Sequence, residues 1–77
     1  MPTVFEQENF AVKVYFSDTD RHQAPHFHLW VEGESVASIS LLTLTPLVGG
    51  PVSRRIMKVL EVRIEEIWEA WHECNDA

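Results

Sequence analysis

The last third of the chain limits the fold most. From Arg54 onward, Ile56, Val59, Leu60, Ile64, Ile67, Trp68 and Trp71 recur at spacings of three and four, which draws a single apolar stripe along a helix. Ser53 stands where an N-cap belongs, and the pattern fades near His72. The spacing predicts one amphipathic helix from Arg54 to His72, about 20 residues and roughly 30 Å long. A helix of this kind gains its stability from packing rather than from propensity, so the residues before Ser53 must build an apolar surface to cover the stripe.

Those residues carry the other periodicity. Phe10, Val12, Val14 and Phe16 alternate with Ala11, Lys13 and Tyr15, the period of two of a half-buried strand. Val4, Phe5 and Glu6 read as a short strand that reverses through Gln7, Glu8 and Asn9 into the first. In HFHLWVEGESVASISL two alternating runs meet at Glu32-Gly33-Glu34, where a glycine suits the positive-φ turn of a hairpin. With Phe27, Leu29 and Val31 pointing inward and Ala37, Ile39 and Leu41 as their partners, His26, His28 and Trp30 fall together on the opposite face. Pro46, Gly49, Gly50 and Pro51 punctuate the segment before the helix and predict a connection, with Leu44, Leu47 and Val48 tucked into the core. The expected fold is α+β: one domain over residues 1–77, a small antiparallel sheet of three to four strands with one long C-terminal helix packed on one face.

The chain has 77 residues, too few for a second domain, and a fold of this size buries only roughly 60% of its unfolded surface. Its single cysteine, Cys74, closes no intrachain disulfide and rules out a four-cysteine zinc framework. Stability must come from core packing or from association, and three tryptophans in so short a chain suit a dimer. The opening MPTVFEQENF has neither a basic leader nor a long apolar run, and no stretch reaches the length of a membrane span. The expected location is the cytoplasm, with no membrane partner. Twelve Asp and Glu against six Lys and Arg give a net charge of −6, which argues against nucleic acid as a partner, because phosphate neutralisation needs cationic surface. Arg54, Arg55, Lys58 and Arg63 cluster, so any anion-binding surface would be local.

Three groups of residues are candidates for chemistry. DRHQAPHFHLW places three of four histidines within residues 22–28. A His-x-His pair on one strand face brings two imidazoles within reach of one ion, and His22 with Asp18 or Asp20 would complete the ligand set of a zinc or other divalent metal site. The competing reading makes His26 and His28 partly exposed strand residues, with no cofactor. Pro25 restricts Ala24 to extended backbone and so fixes the aim of His26. The second group is GGPVSRR, where Ser53, Arg54 and Arg55 at a helix start offer N–H groups and cations to an anion; the plainer alternative is a capped helix with solvated arginines. The third is the tryptophans. Trp68 and Trp71 read as core and helix-edge packing, whereas Trp30 shares the outer face with His26 and His28 and forms with them a candidate interaction surface; the alternative is that the N-terminal segment covers this outer face.

The order of elements, the opening MPTVF, the segment RHQAPHFHLWV and the close VSRRIMKVLEVRIEEIWEAW together resemble the family of short, mostly bacterial proteins known as the domain of unknown function numbered four-one-six-zero. The resemblance spans nearly the whole chain. Its hallmark is a histidine, a short gap, Pro-Pro, and then His-hydrophobic-His entering a strand. His22, Pro25, His26 and His28 match it, with Phe27 between the last two, while Ala24 replaces the first proline. The family has no established activity, and its members are often encoded beside another small protein. The resemblance therefore implies a toxin–antitoxin-like or other two-component partnership.

Two functional readings stand side by side. In the first, the chain is a non-enzymatic protein-interaction module that binds itself, a small neighbouring-gene protein, or both, through His26, His28 and Trp30. In the second it is a small histidine-based or metal-dependent enzyme, a nuclease-like toxin, using His22, His26 and His28 with an aspartate. Acidic charge, small size and the lack of a serine or cysteine nucleophile spaced to serve these histidines favour the first.

Overall fold

The computed structural model describes residues 3–14 and 25–75. Five strands form one antiparallel meander in the order β1 (Thr3–Gln7), β2 (Phe10–Lys13), β3 (His26–Val31), β4 (Glu34–Ser40) and β5 (Pro46–Gly49). Two helices follow, α1 (Arg54–Val62) and α2 (Ile64–Asn75). The α+β class is as expected. Among the described residues the sheet has five strands instead of three or four, and two helices stand where one was expected.

The hairpins form where the turn chemistry allows. Glu32 and Gly33 both take positive φ, 51° and 82°, the combination that matches the right-handed twist of flanking strands. Glu8 does the same at 54° in the β1–β2 turn. The Glu32 N–H donates to the Asn9 carbonyl at 2.8 Å, tying the two turns together at one end of the sheet. The alternation predicts that β2 runs from Phe10 to Phe16. It is described as far as Lys13, with Val14 fully buried beyond it, and Tyr15 and Phe16 lie outside the described residues.

Strand β5 corrects the reading of TLTPLVGGP as a plain connection. The Ser40 hydroxyl accepts from the Leu42 N–H, the Leu44 N–H returns to the Ser40 carbonyl, and the chain reverses so that Ser38 pairs with Val48 and Ala37 with Gly49. Pro46 opens this edge strand, a position where its missing donor costs nothing to the ladder. Gly49, at φ 79°, is required: a Cβ there would collide with the carbonyl oxygen of Val36. Leu44 packs against the core, but Leu47 and Val48 are exposed, contrary to expectation: β5 is the edge strand of the sheet and all four of its residues are exposed.

The core lies between one sheet face and the helices. Phe5, Phe10, Val12, Val14, Phe27, Leu29, Ala37, Ile39 and Leu41 close against Leu60, Ile67 and Trp71. Each fully buried large side chain contributes about 1.5–3 kcal/mol relative to exposure. Cross-strand pairs Phe27↔Ile39 and Leu29↔Ala37 bear out the inward set, with Val31 half-buried at its end. The apolar stripe also holds, since Ile56, Val59, Ile64 and Trp68 pack around the buried three.

The helix break falls at Arg63, which leaves helical geometry at φ −104°, ψ 19° while its N–H still donates to the Val59 carbonyl. No glycine or proline marks the spot. What sits there is a tertiary clamp: the Arg63 guanidinium lies 3.8 Å from the Phe5 ring centroid, donates to Gln7 Oε1, and grips both carboxylate oxygens of Glu66 at 2.9 and 2.8 Å. This hydrogen bonding holds the Glu66 carboxyl below the usual carboxylate range and raises the Arg63 pKa further above its ordinary value. The helical pattern continues past His72 to Asn75.

Candidate interaction surface

Alternation along β3 sets which side chains can act together. Phe27 and Leu29 point into the core, so His26, His28 and Trp30 project from the other face, away from both helices. Cross-strand register fills in the rest of that face. Lys13 on β2 and Ser38 on β4 flank His28, Ala11 and Ser35 flank Trp30, and Ser40 pairs with His26. A register shift between Leu29 and Trp30 places the exposed Val36 opposite no single partner, the local irregularity of a β-bulge.

The shared face is therefore as expected, but its exposure is graded. His26 is only 5% exposed, which corrects the expectation that it is a solvent-facing residue of the surface. Its ring meets His28 edge to face with centroids 5.1 Å apart. Behind it, the Pro25 carbonyl accepts from the Leu41 N–H, pinning the start of β3 to the end of β4. His28 is half-buried and its Nδ1 lies 3.2 Å from the Ser38 hydroxyl. Trp30 is also half-buried. The Lys13 ammonium stands 4.4 Å from its ring centroid, a cation–π contact. The Trp30 indole nitrogen is buried with no hydrogen-bond partner among the described residues, an arrangement that costs about 1–3 kcal/mol.

The metal reading depends on residues beyond this face. His22, Asp18 and Asp20 lie outside the described residues. Among the described residues, no group of three His, Cys, Asp or Glu side chains is placed to hold an ion; His26 and His28 are brought together, and they are two.

The helix-start candidates are drawn into structural contacts. Ser53 caps α1, its hydroxyl accepting from the Ile56 N–H at 3.2 Å. Arg55 pairs with Glu8 at 2.8 Å, stitching α1 to the β1–β2 turn, and Arg54 is exposed. The helix tryptophans pack as expected: Trp71 is buried, and Trp68 meets it edge to face while stacking on His72 at 5.5 Å.

Sequence reasoning missed Lys13 and Ala11 as members of the candidate surface. Lys13 alternates with Val12 and so was legibly outward, but which neighbours it meets is decided by the β2–β3 register. Glu6 was missed for the same reason, since its alignment with Ala11 and Trp30 appears only across three strands.

No helix among the described residues is long and apolar enough to cross a membrane. No curated protein and no solved structure gives a match to this chain. A family model, described as Domain of unknown function (DUF4160), matches residues 9–72, a span that runs from the first turn through β3 and its paired histidines to the last turns of α2. The chain thus belongs to the DUF4160 family, whose members share a domain of unknown function.

Proposed function

We infer that this domain is a non-enzymatic protein-interaction module and one component of a toxin–antitoxin-like or similar two-component pair, which binds a second copy of itself or a small neighbouring protein. The observation that carries the reading is the sheet face opposite the helices, where His28, Trp30 and Lys13 sit side by side with surface still accessible. A half-buried tryptophan flanked by histidine and lysine is the kind of residue that anchors interfaces, because it offers a large rigid apolar area. His26, nearly enclosed on this face, meets the His28 ring edge to face and contributes support more than contact.

The test is sedimentation velocity on the wild type and on His28→Ala and Trp30→Ala, with and without chelator. The interaction reading expects both variants to lose association while keeping the wild-type circular dichroism spectrum. The side-by-side placement of His26 and His28 is what favours a second reading, a metal-dependent or histidine-based enzyme that also uses His22. That reading expects a chelator-sensitive activity, nuclease-like in kind, to vanish in His26→Ala with assembly unchanged.

A further inference from the structure

We propose that the outer face of β1, β2 and β3 carries a recognition hollow for an arginine side chain of a partner protein. The proposal rests on the interaction reading above and names the chemistry of the partner. Its floor follows from register. Glu6, Ala11 and Trp30 are aligned across the three strands, and the methyl group of Ala11 between two long side chains leaves a depression. Glu32 rises at the edge from a turn locked to the β1–β2 turn through Asn9. The result is a shallow pocket of about 250 Å³ lined by Glu6, Glu8, Ala11, Lys13, Trp30 and Glu32 among others.

Three features of the hollow select a cation. Its wall is an indole ring, the side chain with the strongest attraction for a cation over its face. That ring already holds one, the ammonium of the chain's own Lys13 at 4.4 Å. Its rim carries three carboxylates against this single lysine; Glu8 is engaged by Arg55, which leaves Glu6 and Glu32 to face an incoming charge. The whole chain adds a net charge of −6, so a basic segment approaches an attractive field. Arginine fits better than lysine, because a planar guanidinium stacks on indole while its edge donates to carboxylates. Lys13 acts as a resident competitor that keeps the ring face covered until a guanidinium replaces it.

The experiment is fluorescence anisotropy with the full chain and a labelled peptide of alternating glycine and arginine, compared with the same peptide bearing neutral citrulline. The arginine peptide should bind at least about tenfold more tightly than the citrulline peptide, and Trp30→Ala should remove about tenfold of that affinity. Ala11→Leu, which fills the floor, should cause a similar loss with an unchanged circular dichroism spectrum, and it keeps the test decisive if Trp30→Ala misfolds. Glu32→Gln should weaken binding roughly two- to threefold, and Lys13→Gln should strengthen it, since it both frees the ring and removes a like charge. Equal binding of the two peptides, or binding indifferent to Ala11→Leu, overturns the proposal. If the peptide does not bind while assembly of the chain still depends on Trp30, the arginine hollow falls and the interaction reading stands.

Discussion

Leu60 and Val62 are two residues apart on α1, yet Leu60 has no exposed surface and Val62 is 84% exposed. Truncating each to alanine separates burial from every other property of the helix. Leu60→Ala removes an apolar group from the middle of a core made by one sheet face and two short helices, and the combined transfer and cavity cost is about 2–5 kcal/mol. A domain of this size sits near the low end of the usual stability of about 5–15 kcal/mol, so the variant loses a large share of what it has. Its thermal midpoint should fall by roughly 10–35 °C. Val62→Ala exchanges a β-branched residue on a solvated helix surface for the best helix former and should change stability by less than about 0.5 kcal/mol. Urea unfolding followed by tryptophan fluorescence and by far-ultraviolet circular dichroism gives both numbers, and coincidence of the two probes checks that the transition is two-state. Similar losses in the two variants, or a Leu60→Ala midpoint close to wild type, would refute the assignment of the buried helix face.

Leu60→Asp places a carboxylate in the same enclosed position and should abolish the cooperative melt altogether. Gly49→Ala puts a Cβ against the Val36 carbonyl at a positive φ; a loss of at least about 1 kcal/mol is expected by urea titration, with exchange protection of the β4 amides falling first. Ser53→Ala deletes the α1 cap and should cost about 0.5–2 kcal/mol, read from the same titration. The Glu66 carboxyl is held below its ordinary pKa by the Arg63 hydrogen bonds, so its contribution is present above the ordinary carboxylate value and is lost as pH falls through the lower, folded value. The wild type should therefore lead Glu66→Gln in stability at about pH 7 and lose that lead by about pH 3; a difference that grows on acidification contradicts the sign.

Most of the core could be read from spacing. The alternations at Phe10–Val14 and Phe27–Val31 and the stripe from Ile56 to Trp71 are strong because one face of each element is buried and a slip by one residue would expose it. The candidate face was legible to the same extent: period two puts His26, His28 and Trp30 together. Their unequal exposure was not, because it depends on what lies across the strands: His26 meets Ser40 and the His28 ring, whereas Trp30 lies across from the single methyl of Ala11 with the Lys13 ammonium over its ring. Strand β5 was hidden by its own chemistry, since Pro46 and Gly49 signal a loop by propensity and become a strand only when Gly49 closes on the Val36 carbonyl. The break at Arg63 carries no local signal either. It coincides with contacts to Phe5 and Gln7, more than fifty positions earlier in the chain.

The claim on which the functional reading turns is that the face bearing His28 and Trp30 is the one that becomes covered. Carbene footprinting resolved by residue, performed on dilute chain and at a concentration where it sediments as an assembly, measures this directly. Labelling of His28, Trp30 and Lys13 should drop in the assembly, while Val62, exposed on the helix side of the molecule, labels equally in both. Protection at Val62 with His28 and Trp30 labelled as before, or no change at either face, would contradict the claim.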